Sequence, residues 1–174
     1  MASFKEHIEQ AKKNLNFLES VNYSYPIGES DDWQVTILFY GAVHLINAHI
    51  AQTCNLHYNS HKKVEQAISP FNPLSPASLP EDVYLAYKLL RNLSRRSRYL
   101  CKDSDSPLEE AKAYLTFDKH VAKAIKHMDV IIDYMVAKYK IKFTPINIIS
   151  MELSMRQADL HNFTCFPAKT TAMA

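Results

Sequence analysis

Tyr40, His44 and Asn47 are spaced by four and three residues, so on a helix they share one face with Trp33, Ile37 and Ala51. A phenol, an imidazole and a carboxamide on an otherwise apolar face must find partners, because an unpaired buried polar group costs free energy. Two chemistries fit this set. Either the three side chains hydrogen-bond within a core and fix helix register, or His44 lines a pocket and exchanges a proton near neutral pH. His49 lies five residues beyond His44 and points to another side of the helix.

Arg91, Arg95 and Arg98 form a second constellation on one face of a later helix, with Arg96 and Tyr99 beside it. Guanidinium groups in a row hold phosphates bidentately, and a neighbouring tyrosine stacks a base. The competing reading is a solvated face with snorkelling side chains. A formal net charge of +2 permits nucleic-acid binding without demanding it.

Three weaker spacings complete the inventory. Cys54, His57 and His61 have half of a zinc spacing, but a structural zinc wants four ligands and no second pair sits nearby, so no metal and no cofactor are expected. His120, Lys123 and His127 read as a solvated basic stripe flanked by Lys119 and Lys126. Arg156 and His161 have an Arg-x4-His spacing. Its chemistry would be RNA cleavage, with the histidine taking the proton of a 2′-hydroxyl and the arginine neutralising charge on the phosphorane-like transition state.

The elements that must position these groups are helices. Phe4, Ile8, Ala11, Leu15 and Leu18 recur at spacings of four and three as the stripe of a first helix, ended by a loop over residues 22–28. Ser30 with Asp31 and Asp32 opens a second helix running to about Thr53, apolar on nearly every side and therefore central. Residues 55–80, with Pro70, Pro73, Pro76 and Pro80, form a long connection holding a short helix from His61 to Ile68. A third long helix starts after Pro80 and buries Val83, Tyr87, Leu90 and Leu93. Ser106-Pro107, followed by Glu109 and Glu110, starts a fourth, with Tyr114, Phe117, Val121, Ala124, Met128, Ile131 and Met135 as its stripe. Thr144-Pro145 starts a last helix carrying Ile148, Ile149, Met151 and Met155, and the tail from Asn162 is disordered or docked.

The expected fold class is all-α, a four- to five-helix up-and-down bundle over residues 1–142 with a C-terminal extension over residues 143–174. A chain of 174 residues suffices for one core, and only two glycines argue against a turn-rich sheet fold or a Gly-rich phosphate loop. Residues 33–51 approach membrane-spanning length but carry two histidines and an asparagine without basic flanks, which reads as a buried core helix. With three cysteines in no framework spacing and no leader pattern, a cytoplasmic protein with reduced thiols and no membrane partner is expected.

In combination, Asp32-Trp33, Phe39-Tyr40-x-Ala42-x-His44-x-x-Asn47-Ala48, Ser60-His61-Lys62 and Leu93-Ser94-Arg95-Arg96-x-Arg98-Tyr99 resemble a bacterial branch of the HEPN domains, over roughly residues 4–138. The resemblance implies a helical bundle that forms homodimers. Many members are metal-independent ribonucleases of toxin–antitoxin, phage-defence or RNA-processing systems, working beside an antitoxin or nucleotidyltransferase partner. Others bind nucleotides, RNA or proteins without catalysis. Active members carry R-x4–6-H near the end of the bundle, paired across the dimer. Residues 108–138 contain no arginine, so the formal match is Arg156, as phosphate stabiliser, with His161 as base. The expected function is therefore a dimeric binding or interaction module for RNA or a nucleotide, using His44, Asn47, His61, Arg91, Arg95, Arg98 and Tyr99. The alternative is a metal-independent endoribonuclease.

Overall fold

The computed structural model describes residues 2–99, 115–156 and 158–167. Helix α1 (Phe4–Ser24) buries Ile8, Ala11, Leu15 and Leu18. Reciprocal capping closes its first turn: Ser3 Oγ accepts from the Glu6 N–H, and the Glu6 carboxylate accepts from the Ser3 N–H. The helix outlasts the expected loop start because Asn22 is buried and useful within it. Asn22 Nδ2 donates to Gln34 Oε1 at 2.9 Å and to the Ile149 carbonyl at 3.0 Å, while its Oδ1 accepts from the Ile149 N–H at 2.7 Å.

Helix α2 (Asp31–Cys54) packs against α1 and against the two other long helices described below. Leu38, Phe39, Leu45, Ile46 and Ile50 are fully buried, each contributing about 1.5–3 kcal/mol relative to exposure. This helix is long and apolar enough to cross a membrane, and 78% of its most apolar window is buried inside the fold, as in a core helix. A Cβ at Gly41 would lie 3.2 Å from Met128 Cε and 3.7 Å from Leu15 Cδ2, so the missing side chain lets two neighbours close on α2. Ser30 does not cap the helix through its side chain, as its spacing suggested. Its Oγ accepts from Gln34 Nε2 instead, and Asp31 Oδ1 takes the Gly28 N–H.

The short helix α3 (His61–Ile68) has the expected bounds. The proline-bearing segment after it folds back, with the Ala77 N–H on the Ala67 carbonyl and the Leu79 N–H on that of Ile68, both at 3.0 Å. Helix α4 (Glu81–Tyr99) follows, the Tyr84 N–H closing on the Pro80 carbonyl.

Helix α5 (Asp118–Tyr139) carries the stripe Val121, Ala124, Met128, Ile131 and Met135, all buried. The expected start at Ser106-Pro107, and Tyr114, lie outside the described residues. Phe117 is extended (φ −137°) and half exposed, so it does not belong to the stripe. The expected solvated stripe on this helix is also corrected. His120 is buried and its Nδ1 accepts from the Phe117 N–H at 3.0 Å. Lys123 is exposed, and half-buried His127 has its pKa lowered by burial and then by Lys123.

Past α5 the sequence expectation fails in kind. Residues after Thr144-Pro145 form strand β1 (Ile146–Ile149), not a helix, followed by a short helix α6 (Met151–Met155) and strand β2 (Phe163–Phe166). The strands pair in parallel, Ile146 with Phe163 through Ile149 with Phe166, and α6 lies in the crossover. Ile146 and Ile148 face inward and join the bundle's own core with Leu153 and Phe163. Among the described residues the chain is thus mostly helical, a bundle of α1, α2, α4 and α5 with one two-stranded sheet sealed against α1.

Candidate functional site

The α2 face bearing Trp33, Tyr40, His44 and Asn47 borders solvent. Trp33 is 65% and Tyr40 40% exposed, while Asn47 is buried. Asn47 is spent structurally: its Nδ2 donates to the Val43 carbonyl at 3.1 Å and its Oδ1 meets the Tyr58 N–H at 3.5 Å. His49 is fully buried on the far side. Its Nε2 faces the Ala77 carbonyl at 3.0 Å, which can only accept, so Nε2 carries the proton and Nδ1 accepts from the Tyr139 hydroxyl at 2.7 Å. Burial drives its pKa down to about 4.

His44 turns toward α1, not toward the arginine helix. Its Nδ1 lies 3.1 Å from Nδ1 of His7, whose Nε2 lies 3.1 Å from Nδ1 of His57. The rings of His7 and His57 stack at 5.1 Å. His7 is 4% exposed, and burial, then His44 and His57, lowers its pKa to about 4. The His44 pKa is lowered by burial and by His57. Sequence reasoning missed His7, although it sits four residues before Ala11 on the buried stripe of α1, which was a readable signal.

The arginine face is built from α2, α3 and α4. Tyr87, Arg91, Ser94 and Arg98 repeat at four, three and four along α4. Arg91 is paired with Glu65 of α3, whose other carboxylate oxygen accepts from the Tyr84 hydroxyl at 3.4 Å. The Arg98 guanidinium lies 5.9 Å from the ring centres of both Phe39 and Tyr40 and 5.1 Å from that of Tyr99, while its Nε donates to the Ser94 carbonyl at 3.3 Å. His61 packs on Phe39 with ring centres 5.1 Å apart, and its pKa is lowered by burial, then by Arg91 and Arg98. Both arginines therefore act on His61. The Tyr87 hydroxyl and Ser94 Oγ beneath them are buried and have no hydrogen-bond partner among the described residues. Arg95 is half-buried on α4, and Arg96 donates to the Leu115 carbonyl at 2.8 Å. His61, Arg91, Arg98 and Tyr99 are therefore gathered with Tyr40, whereas His44 and Asn47 belong to separate arrangements.

Arg156 and His161 are each held by an acid. Arg156 pairs with Glu152 at 2.6 Å, and His161 Nδ1 with Asp133 at 2.7 Å. The His161 ring is exposed, and its pKa is raised by the Asp133 hydrogen bond and charge, which favours the protonated form over a free base. Asp129, Asp133 and His161 also bring their ligand atoms within 4.8 Å of one another. Three of the roughly four acceptor sites of the Asp129 carboxylate are already taken by the C-terminal segment, however. Its oxygens accept from the backbone N–H groups of His161 and Asn162 and from Asn162 Nδ2, so the cluster is a clamp on the C-terminal segment. The Cys54, His57 and His61 spacing is split three ways. Cys54 Sγ bonds the Ile50 carbonyl, His57 meets His7, and His61 joins the arginine face. No family model, no curated protein and no solved structure matches this chain.

Proposed function

We propose that the chain is a HEPN-like helical binding module, acting as a homodimer, that takes the phosphates and bases of RNA or a nucleotide on the face of His61, Arg91, Arg98, Tyr40 and Tyr99. One observation carries the reading: Arg98 lies against three aromatic rings, two of them exposed, on the helix that also carries Arg91, and Glu65 balances the charge of Arg91 and not that of Arg98. Guanidinium groups over rings are pre-organised for phosphate, and exposed tyrosines offer stacking surfaces to bases.

The test is anisotropy with a single-stranded RNA oligomer and with a mononucleotide, in EDTA. With two phosphates held, RNA affinity should fall roughly sevenfold between about 50 and 200 mM salt. Arg98→Ala should weaken binding about tenfold and flatten that dependence. Salt-insensitive binding, or an Arg98→Ala protein that binds as well as the parent, would defeat the reading. EDTA-resistant cleavage abolished by His161→Ala would instead favour the ribonuclease. The dimer is checked separately by light scattering at micromolar concentration, where a monomer rejects it.

A further inference from the structure

We propose that His7, His44 and His57 form a proton-operated latch that fastens residues 55–60, and through them the start of α3, to α1 and α2. One imidazole comes from each of three segments, and the two contacts use opposite nitrogens of His7. One metal ion cannot take a nitrogen from all three rings in that arrangement, because each histidine offers an ion one nitrogen at a time.

Counting protons explains the device. Each N···N contact needs an N–H on one side and a lone pair on the other. With all rings neutral, both contacts are satisfied by a chain running either from His57 through His7 to His44 or the reverse. One added proton is also accommodated, since a charged His7 donates both N–H groups to neutral neighbours. A second added proton is not. Wherever it binds, at least one contact sets N–H against N–H and must open.

The contact that opens is the one to His57. His7 and His44 are carried by helices, whereas His57 is exposed on the connecting segment and rehydrates at little cost. The neighbouring tie of that segment, Tyr58 N–H to Asn47 Oδ1, is long at 3.5 Å. The charged and titratable groups acting on His7 are His44 of α2, His57 of the connection and Glu6 of α1, and the Glu6 carboxylate is engaged by Ser3. Burial of His7 and His44 holds proton uptake below the ordinary imidazole range, so the latch is shut at neutral pH and opens on acidification. Helix α3 carries His61 and Glu65. Only this consequence for the arginine face rests on the binding reading; the latch stands without it.

The experiment combines amide exchange over residues 55–60 with imidazole 15N spectra of the full chain. After correction for intrinsic rates, protection at Tyr58 should fall about tenfold or more between about pH 7.5 and pH 4, where His7 takes up its proton. His57→Gln, at an exposed position, should abolish that change, while pH effects elsewhere in the fold persist in both proteins. A 15N–15N coupling across the His7–His57 contact should be present at neutral pH and vanish in acid. Equal acid loss of protection in both proteins, or rings uncoupled at neutral pH, would overturn the latch.

Discussion

Unfolding free energy should drop steeply as pH falls from 6.5 toward 4, with His49 alone accounting for roughly 3 kcal/mol of the loss. Its imidazole titrates near 6.5 in an unfolded chain and about 4 in the fold. The unfolded state therefore binds more protons throughout that interval. The contribution is complete above pH 6.5, declines as acid is added and is gone below pH 4. The cause is geometric. A fully buried ring already donates to the Ala77 carbonyl and accepts from Tyr139, and a second proton on Nδ1 would bury a charge without an acid beside it. His7, lowered in the same direction, adds to the effect. Urea titrations at about pH 7.5 and pH 4.5 measure it, and His49→Leu should flatten the slope while lowering neutral stability, since the Ala77 carbonyl loses its donor. A parent protein equally stable at both pH values, or a His49→Leu protein with an unchanged slope, would contradict this account.

Asp129→Ala should cost about 3 kcal/mol, a fall of roughly 10 °C in Tm for a chain of this size. The carboxylate is buried and accepts from two backbone N–H groups and one amide, all from the turn that delivers β2. Alanine leaves those donors buried and unpaired. Asp133→Ala, at a more exposed site one helical turn away, should cost much less, because its pair to His161 is solvent-screened and Asn162 Nδ2, its other partner, keeps Asp129 Oδ1. The loss at Asp129 should appear in exchange experiments as exposure of Asn162 and β2 before the bundle opens. Equal, small effects at the two aspartates would remove the clamp. A large rise in Tm on adding a divalent cation would reassign the cluster as a metal centre.

The bounds of α3 and the start of α4 after Pro80 were legible because local periodicity and proline punctuation carry them. The arginine face was half legible. The repeat of Arg91 and Arg98 is written within α4, but Glu65 and Phe39 reach it only through the packing of α2 and α3. The strand at Ile146–Ile149 was not legible, since a short apolar run reads equally as helix or strand until its partner is known. That partner, Phe163–Phe166, and the Asn22 side chain that holds the end of β1 both lie far along the chain.

Taken alone, the order of residues determined that α2 is central and that the chain is helical, because burying a side apolar all round leaves a helix no other place. Only tertiary structure decided where the imidazoles go. His44 shares a face with Tyr40, yet its partner is a histidine 37 residues earlier. Whether a ring nitrogen meets water, an arginine's field or another imidazole depends on which helices come together, and no spacing within one helix specifies that.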